Sequence, residues 1–146
     1  MAFKKIKAQN YTEEELRDIW RKTYCDPNHP IYTFDNIQVK FYEDMFDHAF
    51  FESASRRRGD KSILSLNRCQ KIYWIKDTLE SPDAILKQGW NKKTKSYTKT
   101  RRVAIVKDNY IVVIRFVAEK VAKFLTAYEM NDDQNLQKVL NGPDWK

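Results

Sequence analysis

Apolar and polar positions are most regularly ordered between residues 95 and 130. Residues 103–106 (Val-Ala-Ile-Val) and 110–117 (Tyr-Ile-Val-Val-Ile-Arg-Phe-Val) are almost wholly β-branched, aromatic or small. Such residues suit a pleated, half-buried surface. Asp108 and Asn109 between the two runs are turn formers, and 123–130 make a third run. Short connections of this kind make consecutive strands antiparallel neighbours, so the pattern predicts a β-meander in the middle of a sheet. Residues 37–41 (Ile-Gln-Val-Lys-Phe) alternate with period two and add a short strand, about four in all.

Helical spacing governs the rest. Thr12 followed by Glu13, Glu14 and Glu15 is an N-cap with a capping-box glutamate three residues on, opening a helix to about Tyr24. Its apolar stripe is Leu16, Ile19, Trp20 and Thr23, and 26–30 (Asp-Pro-Asn-His-Pro) stop it. Residues 43–51 turn helical, with Met45, Phe46, Ala49 and Phe50 on the buried side, and Arg56, Arg57 and Arg58 before Gly59 close that helix. The arginines suit either a helix C-terminus or a phosphate. Residues 67–79 bury Cys69, Ile72, Ile75 and Leu79 along one face, and Ser81-Pro82 open a further short helix to Gly89. Asn131 caps a last helix through Leu140. The expected architecture is α+β, with helices mainly on one face of an antiparallel sheet. It reads as one domain: an N-terminal arm and helix to residue 35, a core over 37–130, and a C-terminal helix and tail over 131–146.

Charge adds a location. Lys and Arg outnumber Asp and Glu by 27 to 20 in 146 residues, a net +7. Between 87 and 107 stand eight cations, Lys87, Lys92, Lys93, Lys95, Lys99, Arg101, Arg102 and Lys107, and no carboxylate. Trp90 and Tyr97 are interleaved, the mixture of cations and stacking surfaces found in nucleic-acid grooves; a lysine-rich hairpin kept in water has the same composition. Cys25 and Cys69 have no paired spacing, so no disulfide framework or zinc site is expected, and Cys25 with His29 is too small a ligand set for a metal. No apolar run reaches the roughly 18 residues of a membrane span, and the Met-Ala-Phe-Lys-Lys start lacks the apolar region of a signal peptide. A reduced, cytoplasmic chain without membrane partner or cofactor is the expectation.

Phosphate loops, nucleophile elbows, HExxH and clustered carboxylates are all missing from the sequence. The enzyme class this leaves is metal-free phosphodiester cleavage. RNA brings its own nucleophile, the 2′-OH, and needs only a base, an acid and fixed donors around the phosphate. His48 follows Asp44 by one helical turn, a spacing at which a carboxylate sets an imidazole's tautomer, although a satisfied, partly buried histidine looks the same. Period two in the last strand puts Thr126 and Tyr128 on one face, roughly 7 Å apart, where two hydroxyls can grip a phosphate.

Several stretches together carry a resemblance: Asp47-His48-Ala49-Phe50 after a short strand, Trp74-Ile75, the run 78–85 (Thr-Leu-Glu-Ser-Pro-Asp-Ala-Ile), a basic strand, 110–114, and Leu125-Thr126-Ala127-Tyr128. Over residues 37–130 the chain resembles the phage-type branch of the barnase, EndoU, colicin D and RelE nuclease superfamily. The resemblance implies a metal-independent endoribonuclease that cuts RNA, tRNA or another structured RNA, by 2′-OH attack to a 2′,3′-cyclic phosphate. A toxin or phage effector with an inhibitor or immunity protein as partner fits that picture. His48 matches the helix histidine, the general acid or base, and Thr126 and Tyr128 match last-strand positions that contact substrate. Lys99, Arg101, Arg102, Lys107 and Arg115 are the candidate phosphate-binding cations. The chain departs from the colicin D type in having Phe46 and Asp47 where lysines precede the histidine. The alternative is a catalytically inactive module that binds nucleic acid or protein.

Overall fold

The computed structural model describes residues 4–52, 63–91, 96–130 and 132–142, with side chains at all of these except 48, 52, 63, 88–91, 96–103 and 135. A 3-10 turn, Ala8–Asn10, leads into α1 (Glu13–Tyr24), followed by β1 (Ile31–Tyr32), β2 (Gln38–Lys40), α2 (Met45–Phe50), β3 (Phe51–Glu52) and β4 (Ile63–Leu64). Next come α3 (Leu66–Cys69), α4 (Trp74–Glu80), β5 (Ile85–Asn91), β6 (Ser96–Lys107), β7 (Tyr110–Ala118), β8 (Val121–Glu129) and α5 (Asp133–Leu140).

The capping box forms as the sequence predicts: the Glu15 N–H donates to Thr12 Oγ1 at 3.1 Å, and the Thr12 N–H donates to Glu15 Oε1 at 2.9 Å. The meander forms too, as β6–β7–β8, with Asp108 at φ 55° and Lys120 at φ 60° in its two tight turns. Aspartate tolerates that left-handed conformation, which is why Asp108 works there.

The sheet is larger than expected and mixed. Six strands lie in the order β1-β2-β8-β7-β6-β5, and β2 runs parallel to β8, so the expectation of about four antiparallel strands is corrected. A three-residue strand is too short to announce its partner by pattern, and its pairing with β8 is a long-range event. The short helix expected over 82–89 is instead strand β5. Ser81 and Asp83 close a turn, and Ile85 to Gln88 then pair with Val103 to Val106 of β6. Ladder bonds to β6 outweigh the local cap signal, because a seven-residue helix ending in glycine has little stability of its own. The helix expected over 67–79 is two helices separated by a turn at 70–73, and the helix from 43 ends at Phe50, where Phe51 becomes extended and pairs with Leu64. Arg56, Arg57 and Arg58, expected to close that helix, lie outside the described residues.

Helices α1 to α4 cover one face of the sheet, here called the inner face. Its core is centred on Trp20 of α1, which is fully buried and meets Tyr24, Phe41, Phe46, Phe50 and Phe124 with ring centroids 4.7–6.4 Å apart. The indole N–H donates to the Tyr42 carbonyl at 3.0 Å, so the ring's polar end is satisfied as well. Among the described residues the outer face is covered only in part. Ala104, Val106, Ile111, Val113 and Tyr128 pack there against Leu136, Val139 and Leu140 of α5.

Candidate nucleic-acid interface

Strand register decides what the outer face displays. Val113 belongs to the outer cluster, so Arg115, two residues on, shares its face and lies beyond the end of the α5 contact. Arg115 pairs with Lys123 of β8, and Lys123 with Lys40 of β2. On the other side Arg115 pairs with Arg102 of β6. Four basic residues thus occupy one row across four adjacent strands, Arg102, Arg115, Lys123 and Lys40. At about 4.8 Å between strands the row runs for about 14 Å. Val39 and Ala122, the inward neighbours of Lys40 and Lys123, are both buried in the inner core, which confirms the alternation.

Like charges opposite one another in a sheet repel, so this arrangement contributes nothing favourable to folding. Among the described residues no carboxylate pairs with Lys40, Arg115 or Lys123. Aromatic and polar groups surround the row. The Lys123 ammonium stands 5.4 Å from the centre of the Tyr42 ring, itself 42% exposed. Tyr32, 45% exposed, pairs with Gln38, and Gln38 with Val121, which puts all three on the outer face.

The residues expected from the sequence separate on this frame. Thr126 opposes Val113, one pleat or about 7 Å from Arg115, and is half-buried on the outer face. Leu125 is the extra residue of a β-bulge there: Val113 pairs with Thr126 but Ile114 with Phe124. Tyr128 does share the face of Thr126, one pleat further on, where it packs with the α5 cluster; burial raises its phenol above the ordinary value. Helix α2, which carries His48, packs on the inner face through Phe46, Ala49 and Phe50, alongside Phe124 and Ala127. Arg17 ties it to α1, with its guanidinium on Asp47 and 4.7 Å over the Phe46 ring. The sheet therefore separates the α2 backbone from the Thr126 hydroxyl; the His48 side chain lies outside the described residues. So do the side chains of Lys99, Arg101, Arg102, Trp90 and Tyr97; Arg102 takes its place in the row by backbone register alone.

Lys107 has a different role. It opposes Tyr110, an inner-face residue, and its ammonium binds Asp83 in the turn before β5. That ammonium, then the Ser81 hydroxyl, hold the exposed Asp83 carboxyl down at about 2 against an ordinary 3.8. A depressed carboxyl contributes stability above its unfolded value and loses it as pH falls. The Lys107–Asp83 latch is thus intact above about pH 4 and opens as pH falls through about 2. A carboxyl ¹³C titration of Asp83 is expected to show that low midpoint, moving up toward 3.8 in Lys107→Met.

Sequence reasoning missed Lys40, Lys123, Tyr32 and Tyr42 as surface partners. Lys40 and Lys123 each sit between apolar residues, Val39 and Phe41, Ala122 and Phe124, which marks them as outward-facing. That they stand side by side follows only from the parallel β2–β8 pairing. Burial pushes both thiols up, Cys25 to about 11 and Cys69 to about 12, which disfavours their thiolate forms. Among the described residues no helix is long and apolar enough to cross a membrane. No protein-family model, no curated protein and no solved structure matches the chain.

Proposed function

We propose that the chain binds single-stranded RNA across the uncovered part of the outer sheet face. The observation that carries this reading is the row Arg102, Arg115, Lys123 and Lys40, whose mutual repulsion an anionic strand relieves. Tyr32 and Tyr42 offer exposed rings on which bases stack. Gln38 and the Thr126 hydroxyl bring hydrogen-bonding groups to the same face, the kind that a ribose 2′-OH engages.

Cleavage of the bound strand is a second step, the metal-independent endoribonuclease reading, and Thr126 one pleat from the row favours it. A catalytic His48 would have to serve that strand from the inner-face helix α2, around an edge of the sheet or after a movement of α2.

One experiment tests both parts. Purified protein is mixed with a labelled RNA in EDTA, and both retention and fragment ends are read for wild type and His48→Ala. Saturable binding by both proteins supports the interface, and its absence removes it. EDTA-resistant fragments ending in a 2′,3′-cyclic phosphate, lost in His48→Ala, establish cleavage; intact RNA in both leaves the binding module alone.

A further inference from the structure

A cavity of about 200 Å³ opens between the end of α2, the α3–α4 corner and the ends of β7 and β8. Its strand residues are Tyr110, Ala127, Tyr128 and Glu129, and the Tyr110–Glu129 pair stands five positions along β7 from the Arg115–Lys123 pair. That is about 17 Å from the cation row.

Its wall holds more charge than a core cavity needs. The Lys71 side chain is only 4% exposed, and its ammonium donates to Glu129 Oε1 at 2.8 Å and to Asn67 Oδ1 at 3.3 Å. Arg68 beside it is half-buried and gives one N–H to the Ala49 carbonyl over a long 3.4 Å. No carboxylate among the described residues pairs with Arg68. Among the described residues two cations thus face one carboxylate, leaving one positive charge beside the buried Tyr110 ring. A guanidinium has five N–H donors in a fixed fork, and partly desolvated donors without acceptors are costly. An oxyanion in the cavity would take both Arg68 and the third proton of Lys71, and the space is ample for such a group with a small ring or chain attached.

We propose that this cavity is a binding site for a small oxyanion-bearing molecule, a phosphate monoester or a carboxylate, clamped by Arg68 and Lys71. The site is independent of the RNA interface. Its chemistry is a bidentate guanidinium contact supported by a point charge, with Tyr110 and Phe50 as the apolar backing.

The test is an amide-shift titration at low salt with inorganic phosphate, acetate and uridine 5′-monophosphate as separate probes. Saturable shifts at Arg68, Lys71, Tyr110 and Glu129 are expected for at least one probe, and the ranking of the three separates phosphate from carboxylate and free ion from ester. Arg68→Gln is expected to weaken the effect roughly tenfold or more, Arg68→Lys to weaken it less, and Arg115→Glu to leave it unchanged. If Arg68→Gln does not fold, the comparison of Arg68→Lys with Arg115→Glu carries the test. No saturable shift with any probe up to tens of millimolar, or an affinity no weaker in the Arg68 variants than in Arg115→Glu, would overturn the proposal.

Discussion

Replacing Arg115 and Lys123 together by glutamate is expected to weaken single-stranded RNA binding by roughly thirtyfold or more at low salt. Two favourable contacts become two repulsions, each about 0.5–1 kcal/mol at an exposed site, or together about 2–4 kcal/mol. The salt dependence should flatten as well. Each phosphate contact on a single strand contributes about −0.7 to the slope of log affinity against log salt, so losing two reduces it by roughly 1.4. Folding is expected to survive. The new glutamates would stand between Arg102 and Lys40, so the two outer pairs of the row become opposite charges while the central pair stays like-charged, and urea unfolding should show unchanged or slightly higher stability. A binding curve measured by fluorescence anisotropy at several salt concentrations reads both effects. An unchanged slope would mean that the row does not meet phosphate.

The second large effect is on the fold. Trp20→Ala is expected to cost about 3–5 kcal/mol, against total stabilities of about 5–15 kcal/mol for domains of this kind. The ring is fully buried among five aromatic neighbours contributed by α1, α2, β8 and the end of β2, so its loss opens a cavity where the inner layer meets the sheet. It also leaves the Tyr42 carbonyl without its indole donor, and Tyr42 flanks the cation row. The midpoint of urea unfolding should fall accordingly, and Trp20→Phe should recover much of the packing but not the hydrogen bond. A loss below about 1 kcal/mol would show that α1 is not integral to the core.

What could be read from the chain divides by range. The capping box at Thr12 and the Asp108 turn are local chemistry, so they were legible and stand where the sequence put them. Strands β7 and β8 were legible because their runs of strand-forming residues are long and joined by short turns. Ser81-Pro82 carries an equally local signal, yet β5 forms after it, because pairing with β6 supplies ladder bonds that no local motif reports. The same holds for the candidate site. Arg115 was visible as a cation on a strand, and Thr126 and Tyr128 were visible as a same-face pair. The row needs the register of β6 on β7, of β7 on β8, and the parallel pairing of β2 on β8, and register between strands far apart in sequence leaves no trace in either. The richest cationic stretch, 87–107, pointed to the right sheet and supplies Arg102, but not the other members of the row. Lys107 within it is committed to Asp83, while Lys40 and Lys123 outside it complete the row.

The central claim is that RNA lies on the uncovered outer face. It is tested most directly by mapping backbone amide shifts while titrating an oligouridylate of about eight nucleotides, a length within the usual range for such surfaces. The account predicts saturable shifts at Tyr32, Lys40, Tyr42, Arg115, Val117 and Lys123, with Thr126 at the margin. Shifts confined to α5 or to the inner-face helices, with that set unmoved, would contradict it.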